Sequence, residues 1–186
     1  MSNERDRLRK ITITALMIAL TCVLTSVIRI PSPTKGYMNL GDSAVLLGGW
    51  LLGPLYGAVA GAVGSALADF FAGYTIYVPG TLVIKAIMAL VISLGPYLFA
   101  RSGKKHLRIV FAVSAVIAEA VMVIGYYLYE AAIIGEGFVA AFAGVSGNVM
   151  QGLVGAAGSY FLIELLSHTG VLRSLGVAGF GGGKNG

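Results

Sequence analysis

Long hydrophobic runs separated by short polar segments make up almost the whole chain. The pattern predicts six helices, at residues 11–28, 42–52, 55–72, 80–100, 109–130 and 139–167. A run of about 20 apolar residues is long enough to cross a bilayer as a helix. The pattern therefore predicts an all-α integral membrane protein. Its membrane domain covers residues 11–168, after a basic segment at 1–10 and before a Gly-rich tail at 169–186 that we expect to be flexible.

The second predicted helix is short, and the main alternative is one merged helix over 42–72. A merged helix would be about 46 Å long at ~1.5 Å per residue, longer than a hydrocarbon core of ~30 Å. Gly53-Pro54 is a typical turn sequence. With a break there, ten of the thirteen Lys and Arg residues fall on one side of the membrane. Loops rich in Lys and Arg stay in the cytoplasm. We therefore predict six helices with both termini cytoplasmic, in a prokaryotic plasma membrane.

Composition agrees with a membrane protein. The chain is 57% hydrophobic and 11% charged, with a mean hydropathy of +0.86, whereas soluble domains carry about 25% charged residues. The net charge of +5 comes from short clusters between apolar runs, so it indicates topology and not nucleic-acid binding. The run at 11–28 could belong to a signal peptide. It is long for one and lacks a cleavage site after it, so we expect an uncleaved first helix.

Lys85 and Glu119 lie inside apolar runs, where a charged side chain costs roughly 2.5 to 3.5 kcal/mol on insertion scales. Such groups usually face a polar site inside the helix bundle. Glu119, Tyr126 and Glu130 share one helical face, which predicts a pocket wall, with Glu130 at the outer rim. The partner of Lys85 stays open among Asp69, Glu119 and a ligand. A snorkelling lysine and a glutamate bonded to a neighbouring helix are the structural alternatives.

Further polar residues cluster toward the predicted outer side. Amides three residues apart on the last helix suit a neutral heteroaromatic ring, or bond helices together. Tyrosines on the outer loops could stack on a ring or form an aromatic belt. The residues predicted to bind a substrate are Asn39, Asp42, Asp69, Tyr74, Tyr77, Lys85, Glu119, Tyr126, Asn148 and Gln151.

Ala15 and Ala19 form an AxxxA pattern on the first helix, which favours close helix packing, within this chain or with a partner. Catalytic signatures are missing: there is no HExxH, no GxSxG and no cysteine pair, since Cys22 is the single cysteine. There is also no GxxxxGK[ST] motif, so any ATPase must be another chain. We therefore predict no enzyme activity, no metal and no cofactor.

Several segments together resemble the substrate-binding S components of energy-coupling factor (ECF) vitamin transporters. They are ALMIA in the first helix, YMNLGDSAVLLGGWLLGPLYGAVAGAVGSALADFFAGY, YVPGTLVIKAIMAL, AEAVMVIGYYLYE and GNVMQG. The resemblance covers roughly residues 8–168. It implies a six-helix protein that binds a vitamin or precursor near the outer side, under a lid formed by the first outer loop. It also implies docking through Ala15 and Ala19 onto a T component that carries two ABC-type ATPase subunits.

Within that family, the LGD…ADFFAGY…PGTLVIK…GYYLYE pattern resembles the branch linked to hydroxymethylpyrimidine, the thiamine precursor, or to pyridoxine. Riboflavin or another vitamin is the alternative ligand. Two other functions stay open from the residues alone. A stand-alone secondary transporter would use Glu119 as a proton-coupling carboxylate, and a membrane enzyme would use Glu119 and Lys85 as acid and base.

Overall fold

The computed structural model describes residues 2–32, 34, 36–98, 106–169 and 172, and it is almost entirely helical. Five helices are long and apolar enough to cross a membrane. Their bounds are α1 Ser2–Val27, α2 Gly41–Phe71, α3 Val78–Leu98, α4 Leu107–Leu128 and α5 Phe138–His168. The predicted all-α membrane architecture is confirmed at this level. Most of the predicted flexible tail, and residues 101–105 of the predicted basic loop, lie outside the described residues.

Helix α2 is interrupted at Gly53, directly before Pro54. Gly53 has φ 76° and ψ −174°, a conformation that glycine adopts at little cost. The two halves, residues 41–52 and 54–71, then pack against each other. A Cβ placed on Gly57 would lie 2.6 Å from the Cα of Gly49, and one on Gly61 would lie 2.9 Å from a methyl group of Val45. Residues eight apart in a straight helix are about 12 Å apart, so the chain reverses here as a helical hairpin.

The segment between α1 and α2, predicted as a loop, contains a small antiparallel ribbon. Strand β1 (Ile30–Pro31) pairs with β2 (Tyr37–Met38), with Ile30 opposite Met38. The Ser32 amide donates to the Gly36 carbonyl oxygen and tightens the turn between the strands. A strand of two residues is too short to show an alternating pattern, so the ribbon could not be predicted from the sequence. The ribbon ends three residues before α2 begins, so it lies over that end of the bundle.

The other helix bounds differ from the predictions mainly at their ends. Helix α3 begins at Val78, before the predicted residue 80. Helix α4 continues into a π-helical turn, Tyr129–Ile133. A π turn holds one residue more per turn than an α-helix, and such turns occur often at functional sites. It rotates the residues after Leu128 relative to an ideal helix, and this affects where Glu130 lies.

Apolar side chains fill the half of the bundle near Gly53, the end of α3 and the start of α4. Ile92, Phe111 and Ile163 are fully buried there, and Trp50 packs edge-on against Phe111 with ring centroids 5.0 Å apart. The outward faces carry large apolar side chains, as a surface in contact with lipid requires. Buried polar residues gather in the opposite half, beneath the ribbon.

Candidate functional site

A small polar cavity of about 30 Å³ lies beneath the ribbon. That is room for one or two water molecules. The ribbon segment, α2, the 72–77 loop and helices α3, α4 and α5 all contribute to its wall. The lining residues are Ser32, Gly36, Tyr37, Asn39, Asp69, Tyr77, Thr81, Tyr126, Glu130, Asn148 and Gln151. Nearly all of them are polar or aromatic, so the cavity offers hydrogen bonds and ring contacts together.

Lys85 forms a buried ion pair with Asp42 beneath this cavity. Asp42 is 0% exposed, and its other oxygen accepts a hydrogen bond from Gln151 Nε2 at 2.7 Å. Sequence analysis had left Asp69, Glu119 or a ligand as partners of Lys85, and Asp42 was none of these. The pairing arises because the reversal at Gly53 brings the first turn of α2 beside α3. In such a pair, each buried charge is neutralised by its partner.

The chain of hydrogen bonds continues from this ion pair to the segment before α2. Gln151 Oε1 accepts from the Asn39 amide at 3.0 Å, and Asn39 Oδ1 accepts from the Gly41 amide at 2.8 Å. Gln151 thus uses its donor toward Asp42 and its acceptor toward Asn39, which fixes its orientation. Four elements of the fold therefore meet through one connected network: the segment after the ribbon, α2, α3 and α5.

Asp69 is held by two hydroxyl donors. Tyr37 donates to Oδ1 at 2.7 Å, and Thr81 donates to Oδ2 at 2.5 Å. Burial is the main cause that raises the pKa of Tyr37 well above its usual range, and the Asp69 carboxylate raises it further. Tyr37 therefore keeps its proton and remains a donor. Thr81 also lies 3.0 Å from the Tyr126 hydroxyl, so Asp69 is connected to the wall formed by α4.

Glu130 ties the ribbon to the bundle. Its Oε1 accepts from Thr34 Oγ1 at 3.0 Å and from the Tyr77 hydroxyl at 3.2 Å. Burial is the main cause that raises the pKa of Tyr77, and Glu130 raises it further, so Tyr77 stays protonated. Glu130 was predicted at the outer rim, but it is only 3% exposed, because the π-helical turn and the loops cover it. Its Oε2 has no hydrogen-bond partner among the described residues.

Tyrosine rings surround the cavity in a connected group. Tyr37 and Tyr74 have ring centroids 4.7 Å apart, and Tyr77 lies 6.5 Å from Tyr126. The ammonium of Lys85 lies 5.3 Å from the centroid of the Tyr126 ring, within the range of a cation–π contact. These rings provide flat apolar surface next to hydrogen-bonding groups, the combination that an aromatic heterocycle requires.

Most of the residues singled out from sequence gather at this site. Those lining the cavity are Asn39, Asp69, Tyr77, Tyr126, Asn148 and Gln151. Asp42 and Lys85 lie directly beneath them, and Tyr74 contacts the lining residue Tyr37. Glu119 does not line the cavity either, but it lies beside Asp42.

Glu119 lies between the buried ion pair and an apolar groove of about 310 Å³ formed by α4 and α5. A Cβ added to Gly155 of α5 would contact both Glu119 Oε1 and Asp42 Cβ, so the carboxylate lies beside Asp42. Glu119 is 5% exposed, and neither carboxylate oxygen has a hydrogen-bond partner within the described part of the chain. Helix α5 passes close to it at Gly152, where an added Cβ would lie 3.1 Å from Glu119 Cβ. Glu119 does not line the polar cavity, which Tyr126 and Glu130 do. Its predicted role in the pocket wall stays a prediction, and the structure places it beside Asp42, at the base of the site.

Sequence analysis missed several lining residues. Ser32 and Gly36 belong to the ribbon segment, whose sequence has no periodicity to show which side chains face the cavity. Thr81 could have been found, because it lies four residues before Lys85 on the same helix and therefore on the same face. Tyr37 was considered for ring stacking, but its hydrogen bond to Asp69 depends on the folding of the ribbon over the bundle.

The two alanines of α1 lie on its outward face. Ala15 and Ala19 are exposed, whereas Met17 and Thr21 are buried against α2. A Cβ on Gly64 of α2 would lie 2.7 Å from Thr21 Cβ, so α1 and α2 cross closely on the buried side. The small residues lie on the other, exposed side of α1. Among the described residues, no group of three or more His, Cys, Asp or Glu could hold a metal ion.

Comparison with known proteins gives one family and two relatives. The model of the ECF-type riboflavin transporter S component matches residues 5–168. A protein of Pyrococcus woesei, described as an uncharacterized protein in gap 3'region, is 34% identical over 76% of this chain and 93% of its own length. The thiamine precursor transporter HmpT of Lactococcus lactis is 27% identical over 91% of this chain and 95% of its own length. A transporter family and five apolar helices confirm the predicted transport role and membrane location, and the chain belongs to the family of ECF-type riboflavin transporter S components.

Proposed function

We propose that this chain is the membrane-embedded binding subunit that captures a small vitamin or vitamin precursor for an ECF transporter. The observation that carries this proposal is the buried network of Asp42, Lys85 and Gln151 beneath a cavity walled by tyrosines. Burying charged groups in a membrane bundle is costly, so such groups usually serve a ligand or ion path. The predicted ligand contacts are Asn39, Asp42, Asp69, Tyr74, Tyr77, Lys85, Glu119, Tyr126, Asn148 and Gln151.

We further propose a six-helix topology with both termini cytoplasmic. The reversal at Gly53 supports it, because the hairpin returns the chain toward the ribbon side before α3 begins. The basic N-terminal segment and the 101–108 loop then lie on the same side, as the positive-inside rule requires. The ribbon and the cavity lie on the opposite, outer side, where a ligand enters from outside the cell.

The preferred ligand is a single substituted ring, hydroxymethylpyrimidine or pyridoxine. The polar wall and the small volume of the cavity support a compact ring over a large one, because a compact ring requires the ribbon and the tyrosines to move apart less. The relative named as a thiamine precursor transporter supports the same class. Riboflavin is the second candidate, because the family model carries that name. Its three fused rings would require a larger opening than a single ring does.

Delivery requires partners, which we propose to be a T component and two ABC-type ATPase subunits. The exposed Ala15 and Ala19 offer a flat strip on α1 where a partner helix can approach closely. The alternative of a stand-alone secondary transporter predicts uptake by the purified chain in liposomes under an ion gradient. The binding-subunit proposal predicts no uptake there.

The first experiment is calorimetric titration of the purified chain in detergent with hydroxymethylpyrimidine, pyridoxine and riboflavin. We expect saturable binding of one of the two single-ring compounds, and loss of that binding in a Gln151→Ala variant. Arg108→Ala, which changes an ion pair far from the ribbon, is the control and should bind as the wild type does. Binding of riboflavin alone would select the second candidate. Failure of all three compounds to bind would contradict the proposal.

A further inference from the structure

The wall of the polar cavity is acidic. Two of its described lining residues are carboxylates, Asp69 and Glu130, and none of those lining residues is Lys, Arg or His. The nearest buried cation, Lys85, is ion-paired with Asp42, which also accepts from Gln151. If Lys85 turned to an anionic ligand, it would leave Asp42 buried without its cation, which is strongly unfavourable. Arg29 lies near Tyr37 but is exposed.

The two carboxylates differ in their remaining capacity to accept hydrogen bonds. Both oxygens of Asp69 accept hydrogen bonds from hydroxyl groups. Glu130 is different, since Oε1 accepts from Thr34 and Tyr77, while the buried Oε2 has no donor among the described residues. A buried carboxylate oxygen without a donor is unfavourable until one arrives. An N–H group of a ligand is the kind of donor that it lacks.

We propose that the cavity selects a neutral or cationic ring carrying an amino group, with Glu130 as the acceptor, and that it rejects the phosphate ester of the same ring. This inference rests on the proposed function and names the chemical class of the ligand more narrowly. An aminopyrimidine matches this wall chemically once the ribbon opens to admit a ring, because its exocyclic amine can donate to the carboxylate while the ring packs against the tyrosines. A phosphate dianion would face Asp69 and Glu130 with no free cation in the described wall.

The test compares three compounds on the wild-type chain: 4-amino-5-hydroxymethyl-2-methylpyrimidine, the same ring without its amino group, and the monophosphate of the first compound. Hydrogen bonds to a charged group predict that loss of the amine weakens binding by about 10- to 100-fold. Like-charge contact predicts that the monophosphate binds more than about 100-fold more weakly. This comparison needs no variant, so it tests the selectivity for the amine and against the phosphate even if a variant fails to fold.

Glu130→Gln then assigns the effect to one residue. The amide keeps an acceptor for Thr34 and Tyr77 but removes the charge and one acceptor oxygen. We expect the preference for the amine over the deaminated ring to fall by at least about tenfold. Glu164→Gln is the matched control, since it removes the same charge from a residue that pairs with Arg108 and does not line the cavity. Its preferences should stay within about twofold of the wild type.

The outcomes separate this inference from the function it rests on. If none of the pyrimidines, pyridoxine or riboflavin binds, the proposed function itself is wrong. If the aminopyrimidine binds but its monophosphate or its deaminated analogue binds equally well, the charge selectivity is wrong and the binding function stands. If both selectivities exist but survive in Glu130→Gln, Glu130 is not the acceptor.

Discussion

The ammonium of Lys85 and the carboxylate of Asp42 form an ion pair that joins the start of α2 to the middle of α3, out of contact with water. Each residue alone would be a costly charge inside a membrane bundle. Together they are neutral, and the hydrogen bond from Gln151 supports the second carboxylate oxygen. The pair is thus both a structural link and the base of the proposed binding site.

Replacing Lys85 by Met should destabilise the protein strongly. The change leaves Asp42 buried without a cation, which costs about 3–5 kcal/mol in comparable pairs. Denaturant unfolding in detergent, followed by the fluorescence of the single tryptophan, Trp50, measures the change in free energy of unfolding.

Arg108→Met is the control for this prediction. It removes the Arg108–Glu164 pair, at 2.6 Å but partly exposed, and such pairs contribute about 0–1 kcal/mol. The double variant Lys85→Met, Asp42→Asn should recover part of the loss. Equal losses for Lys85→Met and Arg108→Met would show that the buried pair does not stabilise the fold.

Gly57→Ala should destabilise the hairpin of α2. The added Cβ would lie 2.6 Å from the Cα of Gly49, so the two halves must separate, which costs about 1–3 kcal/mol for an overpacked contact. Gly147→Ala is the matched control, because its Cβ would make only ordinary contacts, with the flexible Met38 side chain at 3.4 Å and with Ser32 Oγ at 3.9 Å. The same unfolding measurement applies, and a larger loss from Gly147→Ala would argue against close packing in the hairpin.

Tyr77→Phe should loosen the ribbon without unfolding the bundle. The hydroxyl bonds both Glu130 and the Thr34 carbonyl, and a hydrogen bond to a charged group contributes about 1.5–3 kcal/mol. Hydrogen exchange of the ribbon amides at residues 30–38 should become about 10- to 100-fold faster. Tyr127→Phe, whose ring contacts Phe138 and Phe142, should leave ribbon exchange unchanged. An unchanged ribbon in Tyr77→Phe would show that Glu130 does not hold it.

Stability should fall in alkali because of Tyr37 and Tyr77. Burial first, and then the neighbouring carboxylates, raise the pKa of both phenols in the folded protein. A folded pKa above the unfolded value of about 10 gives stability that is fully present below the unfolded value and is lost as the pH rises beyond it toward the folded pKa. Melting temperatures should therefore stay steady from about pH 8 to 10 and decline above about pH 10, less steeply in a Tyr37→Phe, Tyr77→Phe variant. An equal slope in both proteins would rule out these phenols as the cause.

Ala15→Trp and Ala19→Trp should abolish vitamin uptake in cells that supply the T component and ATPases, while ligand binding by the purified chain is retained. Both alanines are exposed, so a large side chain there blocks a partner helix and not this bundle. Ile117→Trp adds similar bulk to an exposed position on α4 and should leave uptake intact. Loss of binding together with uptake would contradict a docking role.

Local sequence patterns determined much of this protein. Apolar runs of membrane length, a Gly-Pro break and the distribution of Lys and Arg predicted the helices and the reversal at Gly53. Lys85 stood out because a charge within an apolar run has few explanations. Residues near it, Asn148 and Gln151 among them, were found by the same reasoning.

Only the tertiary structure decided which of these groups meet. Lys85 pairs with Asp42 because the hairpin of α2 brings two segments 43 residues apart together, and no periodicity encodes that contact. Glu130 is buried because a π-helical turn and the ribbon cover it. Glu119 lies beside Asp42 because α5 passes close to both residues at Gly155, a contact between three helices. Helical periodicity fixes the face of a side chain on its own helix, whereas the partner on the next helix depends on how the helices pack.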